Sequence, residues 1–227
     1  MPKNADACCK LETETVKQTA ASKIFETARD LFYRRGIRAV GVDEIVCEAG
    51  VTKPSLYRAF KSKDDLVAAC LRESAREGQA AVEAVLAGAG SDPRARLDSV
   101  LRYYADKLNQ PDFRGCPMSN VAVELPERGY PGREVVEDCK TQLRAVLVQL
   151  TKDLGVANPE NLADGLLLIV EGAIATHHVF GSQGPAHSML ATCDALIGSH
   201  LKPDGASVTS SPHRARGPRS SQPKPEN

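Results

Sequence analysis

From Ala21 to Leu201 apolar residues recur at three- and four-residue spacing, which places them along one side of successive α-helices. Ala21, Ile24, Phe25, Ala28, Leu31 and Phe32 form the first stripe, and Gly36 follows as a left-handed stop. Val42, Ile45, Val46 and Ala49 predict a short second helix ending at Gly50; Leu56 and Phe60 predict a third after Thr52, a capping-type residue. Ser62, with Asp64 and Asp65 in the first turn, opens a long helix whose apolar or small side runs Val67, Leu71, Ala75, Gly78, Val82 and Val85. Asp92-Pro93 opens the next, with Leu97, Val100, Leu101, Tyr104, Ala105 and Leu108 on its face. A short apolar run from Met118 to Leu125 follows Cys116-Pro117, and a long stripe from Val136 to Leu154 follows Pro131. After Asn158-Pro159 a helix apolar nearly all round reaches Phe180, and Ala186 to Leu201 supplies the last. Neither a fixed repeat nor a sustained alternating pattern interrupts this series, so the fold class is all-α.

The ends differ. Residues 1–16 are polar and unpatterned, and residues 203–227 are rich in Pro, Ser, Gly and Arg with no Leu, Ile or Phe, so both are expected to be disordered. The 227 residues are 42% hydrophobic and 26% charged, an ordinary globular balance. Net charge is zero, but residues 16–63 hold ten Lys and Arg against five Asp and Glu, while residues 64–201 hold twelve against nineteen. A basic block joined to an acidic body points to a polyanion-binding module. The basic tail, with Arg214, Arg216, Arg219 and Lys224, adds either non-specific DNA affinity or solubility.

Seven scattered cysteines without a Cys-x-x-Cys pair argue against a disulfide framework, and the polar N-terminus lacks a signal-peptide core. The expectation is a cytoplasmic protein. The uninterrupted apolar run Gly165 to Val170 is short of the ~20 residues of a membrane span, so no membrane partner is expected. His177 and His178 are neighbours on one helix and point about 100° apart, which suits no shared metal. No motif requires a metal or a cofactor.

Two short helices joined by Gly50-Val51-Thr52 meet the needs of a helix-turn-helix: Gly50 permits positive φ, and Ala49 permits close approach. Ile45, Ala49, Val51, Leu56 and Phe60 would make its small shared core. The second of the two carries Thr52, Lys53, Ser55, Tyr57 and Arg58, side chains suited to phosphates and base edges.

The whole segment IFETARDLFYRRGIRAVGVDEIVCEAGVTKPSLYRAFKSKDDLVAACL resembles the N-terminal DNA-binding domain of TetR-family transcriptional regulators. The features that carry the resemblance are Gly36, Asp43-Glu44-Ile45, Ala49-Gly50-Val51, Leu56-Tyr57 with Phe60, and Lys61-Ser62-Lys63. RGCPMSNVAVELPERGYPGREVV is similar to a stretch found in C-terminal domains of such regulators. The resemblance implies a three-helix DNA-binding domain at 17–63, a helical ligand-binding and dimerisation domain at 64–202, and a homodimer on a double-stranded operator, most often acting as a ligand-responsive repressor. It also implies that Tyr57 and Lys63 contact phosphates, and that Lys53, Pro54, Ser55 and Arg58 face the major groove. Two departures stand out: Ala59 replaces an aromatic or His, and Val40-Gly41 replaces hydroxyl residues. Lys17, Lys23, Arg38 or Lys61 would supply the missing contacts.

In the C-terminal part, Tyr103, Tyr104, Phe113 and Met118 are candidate walls for a small apolar ligand, although core packing selects the same residue types. Cys116, next to Pro117 at a helix start, is either a reactive thiol or a small buried residue. An enzyme using Cys116 with His177, His178 or His187 is the competing function, but no motif supplies its orienting group or oxyanion site. Helices near Asn161 to Phe180 and Ala186 to Leu201 are expected to form a four-helix dimer interface, with Gly165 and Gly172 permitting close approach.

Overall fold

The computed structural model describes residues 19–127 and 129–201, and all regular structure among them is helical. The terminal segments expected to be disordered, and Lys17, lie outside the described residues. Helix α1 (Ala20–Arg35) starts where Thr19 Oγ1 accepts from the Ser22 backbone N–H at 3.1 Å. It stops at Gly36, whose φ of 87° belongs to the left-handed region. Helices α2 (Val42–Glu48) and α3 (Lys53–Ala59) follow, separated by Gly50 at φ 64°. Ser62 caps α4 (Lys63–Gly88) by accepting from the Asp65 N–H at 3.0 Å, and Asp92 caps α5 (Pro93–Leu108) through the Ala95 N–H at 2.8 Å.

Then come α6 (Pro117–Glu124), α7 (Pro131–Asp153), α8 (Pro159–Phe180) and α9 (Met189–Leu201). The last helix begins later than its apolar pattern suggests. Gly181–Gln183 and Pro185–Ser188 form two 3₁₀ turns instead, because Pro185 and the glycines around it break the α-helical ladder.

Two apolar cores organise these helices. The first joins α1, α2 and α3 to the start of α4 and to Met118, Val121, Leu125 and Val136, so residues on both sides of position 63 share it. The second is built by α5, α7, α8 and α9 around Leu97, Leu101, Leu162, Leu166 and Ile197. Thr151, a buried polar residue, satisfies its hydroxyl on helix carbonyls and on Pro159 O at 2.8 Å, tying the end of α7 to the start of α8.

By length and composition α8 is apolar enough to cross a bilayer, which its six-residue uninterrupted run did not suggest. Its Leu162, Ala163, Leu166, Val170, Ala173 and Ile174 are instead buried in the second core. The opposite side of α8 faces outward: Gly172 and Ala175 are exposed, and Leu168 and Val179 are 73% and 74% exposed. On α9, Ala191, Ala195 and Leu201 are exposed as well. Gly172 has open space around it, whereas a β-carbon on Gly165 would come within 2.7 Å of Leu196 Cδ2. Gly165 therefore serves the packing of α8 on its own α9.

Candidate nucleic-acid interface and ligand cavity

Leu56 anchors α3, fully buried together with Ile24 and Ile45. Burying that one side of a two-turn helix turns Thr52, Lys53, Pro54, Tyr57 and Arg58 outward, with Ser55 half-buried between them. Tyr57 is 48% exposed although it is a large aromatic residue. The Lys53 ammonium pairs with Asp43 at 2.8 Å, linking α3 to α2, and that carboxylate raises the lysine's pKa. Thr52 does not cap the helix through a backbone N–H; its Oγ1 lies 2.9 Å from Ser55 Oγ. Arg58 has no hydrogen-bond or ion-pair partner among the described residues.

Lys63 is less free than a bare phosphate-contact residue. Its Nζ donates to the Ile37 carbonyl at 2.5 Å and lies 5.9 Å from the centre of the Phe32 ring. Arg38, a candidate replacement contact, pairs with Glu127 at 3.1 Å, while Lys23 and Lys61 stay exposed. Val40 is fully buried, which explains an apolar residue where the resemblance leads one to expect a hydroxyl. Cys47 points outward from α2.

A cavity of about 1200 Å³ opens between α1, α4, α5, α6, α7 and α8. Tyr103, Tyr104 and Phe113 line it. Met118 does not: it is buried in the first core, because at the second position of α6 it turns toward the helices of the N-terminal region. Tyr103 and Tyr104 meet edge to face at 5.1 Å between ring centres. Burial raises the Tyr104 phenol's pKa well above the usual tyrosine range.

The sequence reading missed the cavity's polar cluster. Lys140 Nζ donates to Glu171 Oε1 at 2.5 Å and lies 3.4 Å from Cys116 Sγ; Ser119 Oγ donates to Glu171 Oε2 at 2.8 Å. Burial alone would lower the Lys140 pKa, but the Cys116 sulfur and the Glu171 carboxylate reverse that, so the ammonium stays charged. Burial, reinforced by Cys116, raises the Cys139 thiol. One signal was available. Lys140 stands four residues after Val136 and three before Leu143, inside the apolar stripe of its helix, where a charge needs a partner. Among the described residues, the side-chain partner of Cys116 is Lys140 and not a histidine.

Helix α6 borders this cavity and is also tied to the N-terminal helices at both ends. Before it, the Tyr33 hydroxyl donates to Gly115 O at 3.2 Å and accepts from the Arg114 N–H at 2.9 Å. At its last residue, the Glu124 carboxylate accepts the backbone N–H groups of Ile37 and Arg38 at 3.0 and 2.5 Å. Gly115 has a φ of 84°, a conformation that side chains rarely adopt, and the imidazole of His178 lies against it.

Residues 24–70 match the family profile of bacterial regulatory proteins of the tetR family. Over 194 residues the chain is 27% identical to the HTH-type transcriptional repressor DhaR of Mycobacterium sp. (strain GP1), covering 78% of this chain and 91% of that one. Among solved structures, SCO4454, a TetR-family transcriptional regulator from Streptomyces coelicolor, superposes with a TM-score of 0.77 at 27% identity over 81% of this chain and 96% of its own. A TetR-type transcriptional regulator from Streptomyces avermitilis is 32% identical, with a TM-score of 0.69, over 81% of this chain and 98% of its own. All three are transcriptional regulators by name, and none is named as an enzyme.

Proposed function

Because the chain belongs to the TetR family of DNA-binding transcriptional regulators, we propose that it acts in the cytoplasm as a homodimeric repressor, released from a double-stranded operator when a small apolar ligand fills its cavity. The observation that carries the ligand response is the double attachment of α6. A helix forming one wall of the cavity holds the turn after α1 through Glu124 and the end of α1 through Tyr33. A ligand that prefers a displaced α6 therefore prefers a different placement of α3. By linkage the operator must weaken ligand binding by the same factor, typically ~1–3 kcal/mol. The repressor sense has a relative of that name in DhaR.

In this reading residues 17–63 are the DNA-binding head and residues 64–202 the ligand-binding and dimerisation body. Thr52, Lys53, Pro54, Ser55, Tyr57, Arg58 and Lys63 contact DNA. Tyr103, Tyr104 and Phe113 hold ligand. The outward apolar face of α8 and the exposed small residues of α9 meet their symmetry mates, setting two α3 helices about 34 Å apart in successive major grooves.

Two substitutions test the DNA-contact assignments. Arg58→Ala is expected to weaken operator binding about tenfold, with the loss concentrated at one base position of each half-site, because its guanidinium is exposed, has no partner among the described residues and so can read a guanine. Lys63→Ala should weaken specific and random DNA alike and reduce the salt slope by roughly 1 per site. Fluorescence anisotropy titrations on operator and random duplexes at several salt concentrations measure both. Equal losses of Arg58→Ala on the two duplexes would remove base reading from Arg58.

A thiol response through Cys116 is the second reading, favoured by the contact of its sulfur with Lys140 on the cavity wall. Alkylation by N-ethylmaleimide that releases operator from the wild type but not from Cys116→Ser would establish it; equal release from both would dismiss it.

A further inference from the structure

The cavity's polar cluster specifies a ligand chemistry. Lys140 has three N–H donors, of which one goes to Glu171 and one is directed at Cys116, leaving the third without an acceptor among the described residues. Glu171 is occupied on both oxygens, by Lys140 and by Ser119. The Lys140–Glu171 pair is neutral as a unit. A carboxylate ligand would face Glu171 as a like charge, and an ammonium ligand would face Lys140, each in a partly desolvated site where such repulsion is poorly screened.

A second donor lies in the same wall. The Tyr104 hydroxyl has no hydrogen-bond partner among the described residues, and its ring is held by Tyr103. Tyr104 lines the same cavity as Cys116, Cys139, Lys140 and Glu171. Of the other charged residues along the cavity, Glu26, Asp30, Glu83 and Arg114 are exposed to solvent, Arg29 pairs with Glu77, Glu124 accepts the Ile37 and Arg38 N–H groups, and Lys107 lies half-buried over the Tyr103 ring at 5.1 Å from its centre.

We infer that the cavity takes an uncharged, predominantly apolar molecule bearing a carbonyl oxygen, which accepts from Lys140 Nζ and from the Tyr104 hydroxyl. A carbonyl oxygen has two lone pairs, so it can accept from both donors at once. The surrounding aromatic and aliphatic walls take the rest of the molecule, and a volume of about 1200 Å³ admits a ligand of two or more rings or a long chain. This inference rests on the ligand-responsive reading of the cavity and adds the chemical class.

Four matched probes test it by equilibrium dialysis against the full-length protein: naphthalene, 2-acetylnaphthalene, 2-naphthoate and 2-naphthylmethylammonium. The ketone is expected to bind about tenfold more tightly than naphthalene, and neither ion to bind more tightly than naphthalene. Tyr104→Phe and the charge-neutral double variant Lys140→Gln with Glu171→Gln should each reduce the ratio of the ketone's affinity to that of naphthalene. Tyr104→Phe keeps the ring and its packing, so it remains informative if the double variant folds poorly. Tightest binding by the naphthoate, a ketone no better than naphthalene, an advantage that survives Tyr104→Phe, or no binding by any probe would overturn the inference. If the ketone ranks first but leaves operator binding unchanged in a parallel gel shift, the ligand class stands and the repressor reading fails.

Discussion

Replacing Leu168 with glutamate should leave a folded monomer whose operator affinity falls about a thousandfold. In the isolated chain Leu168 is 73% exposed, so a carboxylate there is solvated and costs the fold little. In a symmetric dimer the same position lies in the proposed seam with Gly172, Ala175 and Val179, spaced at three and four residues along α8. Two-fold symmetry would bury two glutamates against apolar neighbours, a penalty of several kcal/mol that a modest interface does not offset. A monomer binds one half-site and loses the effective concentration that the second head enjoys, hence the large drop. Size-exclusion chromatography with light scattering, paired with a gel shift, measures both quantities. A dimer that persists at micromolar concentration would mean that the interface lies elsewhere.

Glu124→Ala carries the second large effect, a loss of about 3 kcal/mol in stability with faster amide exchange at Ile37 and Arg38. The carboxylate accepts both of those N–H groups, and hydrogen bonds to a charged acceptor contribute roughly 1.5–3 kcal/mol each. Ile37 itself is buried, so its N–H gains no easy replacement from water. Glu124→Gln keeps the shape and one strong acceptor oxygen and should fall between the two. Both variants should also lower the coupling between cavity and operator, since they cut the link from the end of α6 to the turn after α1. Denaturation curves together with hydrogen exchange followed residue by residue decide this. Unchanged exchange at Ile37 and Arg38 would remove Glu124 from that link.

Much of this architecture is legible from local pattern. The stop at Gly36, the caps at Ser62 and Asp92 and the two short helices around Gly50 depend on residues within a few positions of one another, and they stand where the pattern places them. So does the outward display of Thr52, Lys53, Tyr57 and Arg58, which follows once Leu56 is assigned to the core. What escaped the sequence depends on distance along the chain. Lys140 and Glu171 are 31 positions apart, and Glu124 meets Ile37 across 87, so no periodicity records either meeting. Met118 shows a further limit: an apolar residue at helical spacing reads the same whether it faces a cavity or a core. Lys63 shows the converse, a cation whose side chain already holds a carbonyl that the sequence gives no reason to expect.

Selecting bound duplexes from a random library with the purified full-length chain, and footprinting the product, decides whether this protein is a two-headed sequence-specific DNA binder. The selected duplexes should carry an inverted repeat with half-sites separated by about one helical turn and bind two chains per site, with an affinity roughly 10³-fold or more above that for random duplex at physiological salt. Enrichment of no common sequence, with equal affinity for every duplex, would contradict sequence-specific recognition.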